Sequence, residues 1–387
     1  MKKAIINGNI VTENGIIFDG VLLIDGDTIA RFGREDEISV PDDAEIIDAN
    51  GAYVGPGLVD IHVHGGEGLS TAFDTCEAAK YFLSHGATSI LATPFYVMNF
   101  DEHMKAIENI KQDMAKAKNV RGIYFEGPYT NPNYGCKADM NPWRDAINMD
   151  EARAMVDAAG KLATVWTVAP EREGVAEFMK YAREVNPNVE FAVGHSEATP
   201  EEIRALGSRL RPTIMTHCMN ATGRVLEKAG RSGRRGYGPD EYCYGDPEMY
   251  AELISDSGGI HVHPDLQQML VHIKGVHRVI LITDCTTMDG CPSNLYQAQK
   301  VDDLNFDHNG GLAGSKMTMD KACRNIMMHT RCGIAEAFLM GSTNPAKAVG
   351  LYDERGSIDV GKKADLVIVS DRFDVKKVIL GGEVCEF

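Results

Sequence analysis

The segment Gly57-Leu58-Val59-Asp60-Ile61-His62-Val63-His64-Gly65-Gly66 decides how the chain is read. It is apolar and β-branched, the composition of a buried strand, and it ends in two imidazoles one residue apart. On a strand, positions i and i+2 share a face, so His62 and His64 aim at one point. The Gly-Gly that follows lets the backbone turn away at once. Neutral imidazole is a strong ligand for Zn²⁺ or Fe²⁺. Taken alone, paired histidines on a strand more often hydrogen-bond in a core than bind metal, so the rest of the chain has to decide.

Outward from this segment, short apolar strands alternate with helical stretches, the pattern of a parallel α/β fold. The strand candidates are Leu58–His64, Thr88–Thr93, Val120–Glu126, Ala163–Ala169, Glu190–His195, Thr213–His217, Gly259–His263 and Val279–Asp284. Helical patterns fall at Cys76–His85, Asp101–Lys118, Asp150–Ala159, Val175–Glu184, Pro200–Leu206 and Pro247–Ser257. Eight such strands suit a (β/α)₈ TIM-like barrel. A doubly wound open sheet is the alternative, but no Gly-x-Gly-x-x-Gly follows the first strand. Both ends of the chain read as short strands and turns. Ala4–Thr12, Gly20–Ile24, Thr28–Phe32 and Glu45–Asp48 surround an Asp25-Gly26-Asp27 turn, and Ala364–Ser370, Val375–Leu380 and Glu383–Phe387 surround Gly381-Gly382. The expectation is a small β-sandwich domain of residues 1–54 plus 345–387, and a barrel over 55–344. Two independent β appendages are the alternative.

A net charge of −17 argues against a nucleic-acid or anionic-membrane partner, which would need a basic face. An anionic substrate would then need a local cluster of basic residues. No segment approaches the roughly 18 apolar residues of a membrane span, and the start Met1-Lys2-Lys3-Ala4-Ile5-Ile6 lacks a signal-peptide apolar run. The nine cysteines are odd in number and scattered, with no Cys-x-x-Cys pair, which disfavours both a disulfide framework and a thiolate zinc site. A cytoplasmic protein is expected.

Polar residues gather at the C-terminal ends of the strand candidates, where such barrels keep their active sites. The first ends in His62 and His64, the third in Glu126-Gly127-Pro128, the fifth in Gly194-His195-Ser196, the sixth in Thr216-His217-Cys218-Met219-Asn220-Ala221, and the eighth in Asp284. Any one could be a satisfied core residue or a helix cap. Four histidines and two carboxylates at the same strand ends point instead to a metallohydrolase. Nitrogen and oxygen donors suit Zn²⁺ or Fe²⁺, and also Mn²⁺. Glu126, with two oxygens, could bridge two ions; Asp284 suits a proton shuttle better than a structural ligand. A bound metal lowers the pKa of its water toward about 7, giving hydroxide at neutral pH.

These strand ends, with Pro56-Gly57-Leu58-Val59-Asp60-Ile61-His62-Val63-His64, resemble the amidohydrolase superfamily. Within it, Glu126-Gly127-Pro128, Gly194-His195-Ser196, Thr216-His217, Asn220-Ala221, Gly259-Ile260-His261-Val262-His263-Pro264, Thr283-Asp284 and Leu312-Ala313-Gly314-Ser315 look like the N-acetylglucosamine-6-phosphate deacetylase family. So does the tail Asn344-Pro345-Ala346-Lys347 with Gly361-Lys362-Lys363-Ala364-Asp365. The resemblance implies hydrolysis of a sugar acetamide to acetate and an amino-sugar phosphate. Glu126, His195 and His217 would hold the main metal, and Asp284 would act as general base and then acid. His62 and His64 would hold a second ion bridged by Glu126, for one or two divalent ions per subunit. Asn220, Ala221 and His261 would contact the substrate. The resemblance also implies a homodimer in which a neighbouring subunit reaches the phosphate.

Two departures stand out. Where the family has Gly-x-His after its Glu-Gly-Pro strand, this chain has Tyr134-Gly135-Cys136-Lys137, and Lys137 is the candidate replacement. Where the family has His-Arg-Glu-Pro-Gly after the sixth strand, it has a Gly- and Arg-rich run from Gly230 to Pro239. Guanidinium forks at Arg231, Arg234 and Arg235 suit phosphate capture; a solvated basic loop is the plain alternative. Asn141-Pro142-Trp143-Arg144 either lines the pocket or packs the insertion. His263, before Pro264, reads as structural, and Met317 and Met319 as helix-start packing. Other amidohydrolase chemistries on N-acyl or cyclic amides often use a strand-four bridge, but here Glu171 lies beyond Pro170. A non-catalytic barrel scaffold is the third reading; it need not preserve six ionisable groups that are costly to bury.

Overall fold

The computed structural model describes residues 2–223, 236–293 and 301–387. Eight parallel strands follow one another around a barrel: Leu58–Val63, Ala87–Ala92, Val120–Phe125, Ala163–Val168, Glu190–Val193, Ile214–Met215, Tyr250–Ile254 and Val279–Ile282. The ring closes at the C-terminal ends of the first and last strands. There Asp284 N donates to His62 O at 3.0 Å and His64 N donates to Cys285 O at 2.9 Å. The Thr283 hydroxyl donates to buried Asp60 at 2.6 Å across the same seam. Closure therefore sets Asp284 against the His62–His64 pair, although more than 200 residues separate them in the chain.

The strands are apolar on both faces because both faces are buried. Ile123, Phe125, Trp166, Phe191 and Leu253 belong to the layer under the helices, while Leu91, Tyr124, Val165, Ala192, Ile214 and Ile280 fill the barrel interior. Phe125 stacks on Trp166 with ring centroids 3.7 Å apart. The helices Thr75–Ser84, Phe100–Asp113, Met149–Ala159, Val175–Val185 and Pro200–Ala205 lie where the apolar periodicity places them. Two of them start with reciprocal capping boxes, Asn99 with Glu102 and Thr199 with Glu202, each of which satisfies two orphan backbone donors.

One barrel strand departs from the expectation. The seventh is Tyr250–Ile254, inside the stretch read as a helix over Pro247–Ser257, and Gly259–His263 is a loop. Five apolar-framed residues do not distinguish helix from buried strand by period alone. The loop is held by Asp256, whose carboxylate accepts the backbone N–H groups of Gly258, Ile260 and His261. A hairpin, Leu304–Phe306 with Leu312–Ser315, follows the eighth strand and was not anticipated.

Both chain ends join one further sheet. Its order runs Glu383–Val384, Val375–Leu380, Leu366–Val369, Tyr53–Pro56, Lys2–Thr12, Gly15–Asp25 and Thr28–Arg34, with Glu45–Asp48 paired parallel to Lys2–Thr12. Leu366–Val369 pairs antiparallel with Tyr53–Pro56, so independent appendages are excluded. Ile5, Ile10, Leu22, Ile47, Leu366 and Ile379 share a core of their own within this small β-sandwich. Asp365 ties the sandwich to the barrel, accepting Arg355 Nε at 2.9 Å and Arg121 Nη2 at 3.3 Å. The nine cysteines are free. Among the described residues, no helix is long and apolar enough to cross a membrane.

His103 is buried between Phe125 and the edge of Trp143, with Nδ1 3.1 Å from the Asn99 carbonyl. Burial pushes its pKa down to about 4. A folded pKa below the unfolded value adds stability above about pH 6.5 and loses it as pH falls toward 4. Urea unfolding between pH 7 and 4 should show wild type losing ~3 kcal/mol more than His103→Gln. Parallel pH profiles would contradict this.

Candidate metal centre

Five strand ends deliver the site. His62 and Val63 close the first strand and His64 follows; Glu126 follows Val120–Phe125, and His195, His217 and Asp284 each lie just past the fifth, sixth and eighth strands. Glu126 is the hub. Its Oε1 lies 2.7 Å from His195 Nε2, 3.0 Å from His217 Nε2 and 3.6 Å from His62 Nε2, and its Oε2 lies 3.2 Å from His64 Nε2. Asp284 Oδ1 lies 3.3 Å from His64 Nε2 and 3.7 Å from His62 Nε2. Two groups of converging donors result, His62–His64–Glu126 and Glu126–His195–His217, which share the carboxylate.

Backbone strain aims three of these side chains. His195, His217 and Asp284 have φ of 46°, 27° and 45°, in the left-handed region that non-glycine residues avoid. Each such residue costs of order 1–3 kcal/mol and persists only where its surroundings over-determine it. Glycines make room around them. A Cβ on Gly65 would lie 2.2 Å from the Leu69 carbonyl, and one on Gly135 would lie 2.6 Å from His195 Nδ1. The tight turn after His64 and the loop that covers His195 therefore both need glycine.

The tautomers follow from the outer hydrogen bonds. His64 Nδ1 donates to Thr93 O at 3.0 Å and His217 Nδ1 to Asn220 O at 3.1 Å. His62 Nδ1 donates to Glu252 Oε2 at 3.2 Å. The proton on Nδ1 leaves the Nε2 lone pair of each ring pointing inward, which is how metal-ligating histidines are held. His62 Nε2, His64 Nε2 and Glu126 Oε2 are buried with no hydrogen-bond donor facing them among the described residues. His195 Nε2 and His217 Nε2 lie only 3.0 Å apart. Both nitrogens face Glu126 Oε1, and with the buried Nε2 atoms of His62 and His64 they make a nitrogen and oxygen donor set that fits a divalent ion.

Against the pull of burial, Glu126 and Glu252 raise His62, Asp284 and Glu126 raise His64, and Glu126 raises His217. Burial opposes the Glu126 charge, yet His195, His217 and His62 hold its carboxyl well below the ordinary range. Asp284 is likewise lowered, with burial outweighed by His64 and His62. Burial lowers His195 and keeps it neutral, the form a ligand needs. Asp60, in contrast, is raised by burial to about 7.

A cavity of about 340 Å³ opens above these groups, bounded by Phe95, Tyr96, Cys136, Asn220, Ala221, Thr286 and Asp307 as well as the hub residues. Asn220 and Ala221 thus line the cavity. His261 is buried outside this lining, its Nδ1 3.0 Å from Asp256. Lys137 adopts a left-handed backbone, and its N–H donates to Asp307 at 3.1 Å. Arg231, Arg234 and Arg235 lie outside the described residues. Trp143 packs on Tyr129 and His103 and donates to the Met98 carbonyl, so the insertion around it is structural. His263 is an exposed helix cap, its Nδ1 accepting Asp265 N. Glu171 is taken up by the Ser196 hydroxyl, at 2.7 Å, and by Glu197 N. Sequence reasoning missed Glu252, Tyr96 and Asp307. Glu252 was the legible one, a lone carboxylate within the apolar run Tyr250–Ile254.

A profile of the amidohydrolase family matches residues 53–385. The chain belongs to the amidohydrolase family. Among amidohydrolases it is 28% identical to N-acetylglucosamine-6-phosphate deacetylase of Bacillus subtilis, over 97% of this chain and 95% of that one. It is 27% identical to N-acetylgalactosamine-6-phosphate deacetylase of Escherichia coli O157:H7, over 98% of each. The crystal structure of a mutant N-acetyl-D-glucosamine-6-phosphate deacetylase of Mycobacterium smegmatis, in complex with N-acetyl-D-glucosamine-6-phosphate, superposes with a TM-score of 0.82. It has 25% identity and covers 99% of each chain.

Chelator-treated protein should gain thermal stability when Zn²⁺ is restored, by about 2.7 kcal/mol at a hundredfold excess over Kd. Glu126→Gln should lose that gain, as measured by differential scanning fluorimetry. An unchanged melting temperature in wild type would contradict the fit.

Proposed function

We propose that this amidohydrolase hydrolyses the acetamide of N-acetylglucosamine 6-phosphate, or a close N-acetylhexosamine 6-phosphate, to acetate and the amino-sugar phosphate. The observation that carries the reading is the Glu126 hub ringed by four imidazoles, with Glu126, His195, His217 and an ionised Asp284 lining a sugar-sized cavity. Relatives that cover nearly the whole chain and are named for this reaction support it.

In this reading Glu126, His195 and His217 would hold one divalent ion, and His62 and His64, with Glu126, would hold a second. Such ions acidify water and polarise the amide carbonyl. Asp284 takes the proton of the attacking water as general base. As the C–O bond forms and the C–N bond breaks, it returns that proton to the departing nitrogen. Its left-handed backbone and the barrel seam hold it 3.3 Å from His64 Nε2, on the cavity side of the hub. Asn220 and Ala221, which line the cavity, orient the sugar. Lys137 and the arginines at 231, 234 and 235 supply the positive charge that a phosphate requires in a chain of net charge −17. Residues 55–344 form the catalytic barrel, and 1–54 with 345–387 the sandwich that braces it. The enzyme is cytoplasmic and works as a homodimer. Zinc or iron is the ion, with manganese as a substitute.

Acetate release should be measured on N-acetylglucosamine 6-phosphate and on N-acetylgalactosamine 6-phosphate. Wild type should turn over at least one, and Asp284→Asn should lower kcat by ~10²–10⁴-fold with metal content unchanged. Full turnover by that variant would remove Asp284 from the role. Failure on both sugars, with cleavage of N-acyl amino acids or cyclic amides, would favour the other amidohydrolase chemistry.

A further inference from the structure

Among the four imidazoles of the site, His62 is the one whose Nδ1 proton goes to a charged acceptor. His64 and His217 lean on the neutral carbonyls of Thr93 and Asn220. His62 leans on Glu252, a fully buried carboxylate whose Oε2 accepts both the ring N–H and the backbone N–H of His217, each at 3.2 Å. Oε1 of Glu252 is buried with no partner among the described residues. Tyr124 stacks on the other side of the His62 ring, with centroids 4.7 Å apart and planes 26° from parallel, so the imidazole cannot swing away.

We propose that Glu252 is a positioning residue for the second metal ion, making His62 a stronger ligand and supplying the buried charge that calls for a cation at His62 and His64. The proposal rests on the two-ion reading above. A carboxylate behind a ligating imidazole fixes the ring and raises its basicity. The second group needs this support more than the first, because His62 and His64 are its own ligands and Glu126 is shared. Charge balance points the same way. Three carboxylates face the imidazoles, Glu126, Asp284 and Glu252, and among the described residues their ion pairs are with histidines alone. One divalent ion offsets two of these charges. The third lies behind His62, and a buried carboxylate without a cation nearby is costly.

Equilibrium dialysis against graded Zn²⁺, with metal counted by atomic emission, tests this on wild type, Glu252→Gln and Glu252→Leu. Wild type should bind two equivalents. Removal of an outer-shell partner typically costs 10–100-fold in metal affinity, so the second equivalent should weaken ~10-fold in Glu252→Gln and ~100-fold in Glu252→Leu. The first equivalent should change less than the second in both. Glu252→Gln has the same shape and keeps an acceptor for the two N–H groups, so it decides the matter if the leucine variant fails to fold. Two equivalents at wild-type affinity in both variants would overturn the role of Glu252 and leave the two-ion reading standing. Equal loss of both equivalents would show a structural role only and also overturn it. One equivalent in wild type at saturating zinc would remove the two-ion reading, and this proposal with it.

Discussion

A single buried carboxylate organises this protein. Glu126 is 3% exposed, and four imidazole nitrogens lie within 3.6 Å of its oxygens. A lone carboxylate taken so far out of water costs several kcal/mol unless charge or hydrogen bonds compensate it. The groups that face it are rings on three other strands, and those of His62, His64 and His217 are tethered from outside. Thr93, Asn220 and Glu252 take the Nδ1 protons of His64, His217 and His62. Lone pairs are left facing the carboxylate, an arrangement that a cation completes.

The barrel makes this constellation possible at a tolerable energetic cost. Apolar burial on both faces of the strands supplies stability far in excess of the few kcal/mol stored in the left-handed residues His195, His217 and Asp284. Closure between the first and last strands then joins the His62–His64 pair to Asp284 without any flexible linker. The same seam that completes the fold sets the Asp284 carboxylate beside His64.

Much of this was legible in the residues. Strands buried on both faces appear as apolar runs, and ligands at their C-terminal ends appear as abrupt polar residues, as at Phe125-Glu126 and Ile282-Thr283-Asp284. The seventh strand was obscured because Glu252 interrupts a run only five residues long, and its inward carboxylate, which accepts the His62 ring N–H, breaks the apolar pattern. The Asp256 turn was read as a strand because its regularity comes from side-chain to backbone bonds, which leave no period in the sequence. The carbonyls of Thr93 and Asn220 left no signal at all, since any residue carries one.

What remains chain-specific is the rim. Family resemblance predicts a histidine where Lys137 stands, and Asp307 fixes that loop by accepting the Lys137 N–H. Zinc-edge anomalous diffraction from metal-loaded crystals tests most directly the proposal that Glu126 would serve two ions. Two peaks ~3.5–4 Å apart, one beside His62 and His64 and the other beside His195 and His217, are predicted. A single peak at His195 and His217, or peaks away from Glu126, would contradict it.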